Sequence, residues 1–339
     1  MEEVDVYETS TVHLLERLCG EDIGRRGIKA ISEHCEGELL KVTKTLLQAK
    51  RVLLTTGFFV PTGQAPETDG PLGAAAIAQA LLRGGVSVDF ITDPLCASAV
   101  APVVEFLRGR NLETKVLIFP GPVPEEKRDG LSESAHAAFR EYDPTSIHEY
   151  AEEFYKAHCT HYTHFLSIER VGAADAEGKF YNMAGIDISG TTGRIDLLFD
   201  NAERFSSMMS QPKPQTIAIG DGGNEIGMGK VRELVTRDVP KGSLIGSVAS
   251  CDHLISAGVS NWGGYVLAAS LAILQRDAAF LWSWQDDCLL MADLVAAEAV
   301  DGMSGKVTGD SVDGISSSVH QAVVDATQSI ARTAIQRLS

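Results

Sequence analysis

The chain has 339 residues, 44% of them apolar, and carries a net charge of −17 at pH 7. That is length enough for a large core, and the acidity argues against nucleic acid or an anionic membrane as partner. Six cysteines (Cys19, Cys35, Cys96, Cys159, Cys251, Cys288) are scattered with no CxxC pair, as expected of reduced thiols in a cytoplasmic protein. The acidic start MEEVDVYETS lacks the apolar core of a signal peptide, and no apolar run reaches the ~18–20 residues of a membrane span.

Residues 1–26 read as a short helical extension ahead of one α/β domain over 27–339. Helical spacing of apolar residues predicts a helix within 27–50, followed by a compact strand at Arg51–Thr56. Pro71–Gly84 reads as a helix with proline in its first turn, where a missing N–H costs least. A strand at Val86–Thr92, a helix at Ala97–Gly109 and a strand at Lys115–Phe119 follow. The Pro- and charge-rich stretch 120–133 predicts an irregular excursion. Next come a helix at Ser146–Cys159, a strand at His164–Ile168, a further helix near 194–209 and a strand at Ile217–Ile219. Strands alternating with helices of this length predict a three-layer α/β/α fold with a largely parallel, Rossmann-like sheet. The apolar helix over 264–274 and the alanine-rich C-terminal segment are compatible with either core or a homo-oligomer interface.

In open sheets of this kind, ligands sit beyond the carboxyl ends of the strands. Three such ends carry functional groups. The first strand runs into TTGFFVPTGQAPETDGP, with Thr55, Thr56 and Gly57 at the tip. Glu67 and Asp69 precede the next helix; alternatively, Thr68 or Asp69 only caps it. The strand at 164–168 runs into Glu169 and Arg170, either a salt bridge or a working pair, with Tyr181, Asn182 and Asp187 further on. The strand at 217–219 runs into GDGGNEIGMGK, where Asp221, Asn224 and Glu225 offer oxygen ligands among five glycines. Gly222 and Gly223 offer backbone amides at an apparent helix start.

Carboxylates converging from three strand ends repel unless a cation or a proton intervenes. Oxygen-only donors favour Mg²⁺, Mn²⁺ or Ca²⁺ over zinc. His158, His161 and His164 lie at the wrong end of their strand to join them. Ser260 and Asn261, beside Trp262, read as an N-cap or a ligand wall, and Asp310 and Asp313 as a surface hairpin. The glycine turn comes too late for a dinucleotide fingerprint, so NAD is not expected; PLP is not expected either.

The segments TTGF…PETDGPLGA, SIERVG…YNM, IGDGGNEIGMGKV, AGVSNWGGYVLA and SVDGI, in this order, resemble the D-glutamate cyclase family from about residue 27 to the C-terminus. The resemblance implies a lyase that dehydrates D-glutamate, or a similar amino acid, to 5-oxo-D-proline. On that basis Glu67, Asp69, Asp221, Asn224 and Glu225 are expected to hold a divalent cation, and Glu169 to act as base, with Arg170 and Asp221 also catalytic. Thr56, Gly57, Asn182, Gly222, Gly223, Ser260 and Asn261 are expected to bind substrate. A metal-dependent phosphatase and a non-catalytic metabolite- or metal-binding module are the competing readings.

Overall fold

Successive residues of the first sheet strand go to opposite sides. In β1 (Arg51–Thr55), Val52 and Leu54 enter one hydrophobic cluster and Leu53 enters another. In β4 (His164–Ile168), Phe165 opposes Leu166 and Ile168 in the same way. This period of two, with apolar residues on both faces, requires cover on both sides of the sheet. The computed structural model describes residues 2–338; the terminal residues 1 and 339 of the two expected spans lie outside it.

Four more strands complete the sheet: β2 (Ser87–Thr92), β3 (Val116–Ile118), β5 (Gln215–Gly220) and β6 (His253–Ser256). All neighbours pair in parallel, in the order β3-β2-β1-β4-β5-β6. This is the doubly wound order, whose switch point lies between β1 and β4. The three-layer α/β/α architecture is as expected. β6, only four residues long, is an addition to the elements read from sequence.

Several predicted helices are shorter. The stretch 27–50 breaks into Lys29–His34 and Glu38–Leu46 around Gly37, and 194–209 into Asp196–Asp200 and Ala202–Met208. The expected excursion at 120–133 holds a 3₁₀ segment at Glu125–Gly130. Helix α1 (Glu2–Cys19), read as an extension, lays Val12, Leu15 and Cys19 into the largest core cluster. No helix among the described residues is long and apolar enough to cross a membrane.

Two helices leave the functional edge side by side: α2 (Pro71–Arg83) and α3 (Ser260–Gln275). Residues 260–273 of α3 are all buried within the chain, so this helix is core and not an outer surface. Close approach depends on Gly264, where an added Cβ would lie 2.5 Å from the Gly73 Cα. Backbone cannot yield as a side chain does, so Gly264→Ala is expected to cost about 1–3 kcal/mol or more. The expected reading is a Tm several degrees lower by calorimetry; an unchanged Tm would show that the helices can separate freely.

Candidate active site

The N-termini of α2 and α3 meet at the strand ends and cap one another. Asp69, ahead of α2, accepts the α3 amides of Ser260 at 3.0 Å and Asn261 at 2.8 Å. In return the Asn261 side-chain oxygen accepts the amides of Gly70 at 2.9 Å and Gly73 at 2.8 Å. The N-cap position of α3 is Val259, which has no side-chain acceptor. Ser260 and Asn261 therefore do not cap their own helix; Asp69 does it from across the cleft. Two helix N-termini aimed at one point favour negative charge there.

That charge is supplied in excess. The Ser260 amide also donates to Asp221 at 3.2 Å, and the Ser260 hydroxyl donates to Glu169 at 2.5 Å. One oxygen each of Asp69, Glu169 and Asp221 lies within 4.8 Å of the others, and all three residues are buried. Glu169 is held at φ 46°, a left-handed conformation that a side-chain-bearing residue seldom adopts and that often accompanies a functional constraint. Gly70 makes room for it, since a Cβ there would lie 2.7 Å from the Glu169 Cβ and 2.5 Å from the Thr56 Oγ1.

A cavity of about 340 Å³ opens over these acids. Arg26, Glu67, Glu169, Asn182, Asp221 and Asp313 line its polar side, and Phe58, Val60, Ile186 and Met303 its apolar side. Arg26 pairs with Asp221 at 2.5 Å and with Asp313 at 2.7 Å. Neither Arg26 nor Asp313 was singled out as a ligand group from sequence. Asp313 does sit on the expected hairpin, between Ser311–Val312 and Ile315–Ser316. Yet its φ of 56° turns it inward, and it lies in the acid cluster, not on the surface.

Burial first, and repulsion from neighbouring carboxylates second, holds Glu67 and Glu169 well above the usual carboxylate range. Burial does the same to Asp221, although Arg26 opposes it. Asp69 is pushed up to about 8, by burial and then by Asp313, against the Asn261 amide and Arg26. An acid whose pKa rises on folding binds its proton more tightly folded than unfolded. Its stabilising contribution is complete below the unfolded value and is lost as pH rises through the folded one.

For Asp69 that window runs from 3.8 to about 8. Metal-free protein is therefore expected to lose Tm between about pH 5 and 8, and added Mn²⁺ to restore more of it at the upper end. A Tm that climbs steadily over this range without metal would contradict the charge state assigned to the cluster.

The buried, oxygen-only donors of Asp69, Glu169 and Asp221 suit a hard divalent cation. Glu225 is placed differently from expectation. Its carboxylate accepts the amides of Asp221 at 2.9 Å, Gly222 at 2.6 Å and Gly223 at 2.7 Å. The glycine turn thus binds its own carboxylate, so its amides are not open to a ligand. No α-helix begins at the turn either; the next starts at Arg232. Asn224 lines the cavity but donates to the Tyr181 carbonyl at 2.9 Å. Asn182 is at the cavity wall, its side-chain oxygen taking the Ile186 amide at 2.9 Å.

Thr56 is fully buried beside Gly70 and Glu169, its hydroxyl without a hydrogen-bond partner among the described residues. Gly57 and Arg170 lie behind the site. Arg170 donates to the Gly57 carbonyl at 2.9 Å, the Gly193 carbonyl at 2.9 Å and Asp93 at 2.5 Å. Its guanidinium joins the loops after β1, β2 and β4 and does not line the cavity.

The fold and site together define a doubly wound α/β domain with an acidic cavity at its switch point and an oxygen-only carboxylate triad in it. Residues 15–327 match the family described as D-glutamate cyclase-like, C-terminal, and the chain belongs to that family. It is similar to "D-glutamate cyclase, mitochondrial" of Homo sapiens, at 35% identity over 273 residues. That match covers 79% of this chain and 40% of the human protein, so the chain spans well under half the length of its curated relative.

Proposed function

We propose that the chain is a lyase that closes D-glutamate into 5-oxo-D-proline and releases water. The substrate's amine attacks its own γ-carboxylate; a C–N bond forms, a C–O bond breaks, and two ammonium protons leave with the departing oxygen as water. The observation that carries this reading is the buried triad Asp69–Glu169–Asp221 beneath the cavity of a cyclase-family chain. The same family match favours cyclisation over phosphate-ester hydrolysis and over a non-catalytic module.

Asp69, Glu169 and Asp221 would hold a divalent cation, Mg²⁺ or Mn²⁺ ahead of Ca²⁺. Such a cation, when bound, polarises the carboxylate and stabilises the departing oxygen. Glu67 faces the cavity and takes no side-chain hydrogen bond from the described residues. With its raised proton affinity, it is placed to accept a proton from the ammonium and return it to the leaving oxygen. Glu169, expected from the family resemblance to act as base, is grouped here with the cation ligands, a reading supported by its carboxylate lying within 4.8 Å of those of Asp69 and Asp221. Ser260 keeps the Glu169 carboxylate oriented through its hydroxyl.

The six free cysteines support a reducing compartment such as the cytoplasm. The direct test incubates the protein with D-glutamate and Mn²⁺ and follows lactam formation by ¹³C NMR. Accumulating 5-oxoproline is expected; phosphate release from aryl phosphates with no lactam would transfer the site to hydrolase chemistry.

A further inference from the structure

A glutamate brings two carboxylates and one ammonium to a cavity crowded with acids. The ammonium is welcome there, and the γ-carboxylate has the cation site. The α-carboxylate still needs a positive partner. Among the described residues lining the cavity, Arg26 is the one lysine or arginine.

Arg26 is presented on a pinned loop. The Asp22 carboxylate accepts the Arg26 amide at 2.8 Å and the Gly27 amide at 2.9 Å. Gly27 lies so close to the Asp238 carbonyl that a Cβ would meet its oxygen at 2.3 Å. Just before the loop, the Cys19 carbonyl accepts the Gly258 amide at 2.7 Å. The guanidinium is thereby fixed over Asp221 and Asp313 while its side chain stays 13% exposed. A guanidinium has five N–H donors in a planar fork. Its contacts with Asp221 and Asp313 leave donors for a third carboxylate.

We propose that Arg26 anchors the α-carboxylate of the substrate and thereby sets its handedness; this rests on the cyclase reading above. A chiral α-carbon is distinguished only when three of its substituents are held. Here the side chain would be held by its γ-carboxylate at the cation site, the amine by Glu67, and the α-carboxylate by Arg26. A site built around a charged hydrogen bond discriminates strongly against a ligand that lacks the partner group.

The test compares D-glutamate, L-glutamate and 4-aminobutanoate, which lacks the α-carboxylate, on wild type, Arg26→Lys and Arg26→Gln with Mn²⁺ present. Ligand-induced thermal stabilisation reports binding without turnover, and lactam formation reports chemistry. Wild type is expected to prefer D-glutamate over 4-aminobutanoate by about a hundredfold or more. Arg26→Gln is expected to lose that preference and the D-over-L preference together, through KM more than kcat, with a loss on D-glutamate about tenfold or more greater than on 4-aminobutanoate. Arg26→Lys should recover part of both.

An equal loss on D-glutamate and 4-aminobutanoate would make Arg26 a structural counter-ion and overturn the proposal. If Arg26→Gln does not fold, wild type decides alone: equal affinity for D-glutamate and 4-aminobutanoate overturns it. Wild type that binds D-glutamate with the expected preference but forms no lactam defeats the cyclase reading and leaves the anchor standing. Wild type that binds no D-glutamate defeats both.

Discussion

Asp221→Asn is expected to lower lactam formation on the order of 10³-fold and to remove Mn²⁺ binding, with the fold retained. The residue follows β5 directly, and its carboxylate meets the Ser260 amide, Arg26 and the triad oxygens together. The substitution preserves volume and removes a ligand atom, and Arg26 keeps its second partner, Asp313. Circular dichroism and Tm should stay close to wild type, and isothermal titration should show Mn²⁺ affinity gone. A variant that turns over at the wild-type rate would remove Asp221 from the chemistry altogether.

Arg170→Met is expected to act in the opposite manner, on stability and not on the substrate. Arg170 and Asp93 are each 1% exposed, and their ion pair is 2.5 Å long. Breaking a buried pair from one side leaves the other charge uncompensated, at about 3–5 kcal/mol. The carbonyls of Gly57 and Gly193 lose a donor as well. The urea midpoint should fall steeply, and adding Asp93→Asn should recover part of the loss as a coupling between the two sites. A variant of normal stability with a raised KM for D-glutamate would place Arg170 at the substrate after all.

The contrast between these neighbours shows what the sequence could reveal. Residues 217–219 are an uninterrupted apolar run, and 164–168 (HFLSI) place Phe165, Leu166 and Ile168 on both faces of a strand, so β4 and β5 and the groups at their ends are legible. Glu169 and Arg170 are adjacent, yet of the two Glu169 lines the cavity. Its left-handed backbone (φ 46°) takes the chain out of the extended conformation there, and no spacing in the sequence signals that turn. The glycine turn was readable as a turn. That Glu225 folds back onto the amides of Asp221, Gly222 and Gly223 is a three-dimensional contact.

Arg26 lies 195 positions from Asp221 in the chain and carries no local signal beyond a positive charge in a polar loop. Asp313 sits in SVDGI, one of the segments that carry the family resemblance, but by its local composition the hairpin reads as a surface one. β6 is not legible in the sequence because its four residues begin with His253 and are too few to show a period. Local pattern thus located the strand ends, while the partners that complete the site come from distant segments packed against them.

The claim on which the rest depends is that the acid cluster, with its cation, closes D-glutamate. The deciding measurement incubates purified protein with D- or L-glutamate in Mg²⁺, Mn²⁺ or EDTA and quantifies 5-oxoproline by chiral chromatography. D-configured product that disappears with EDTA is the predicted result. Product formed equally in EDTA would contradict the cation site, and no product under any of these conditions would contradict the cyclase itself.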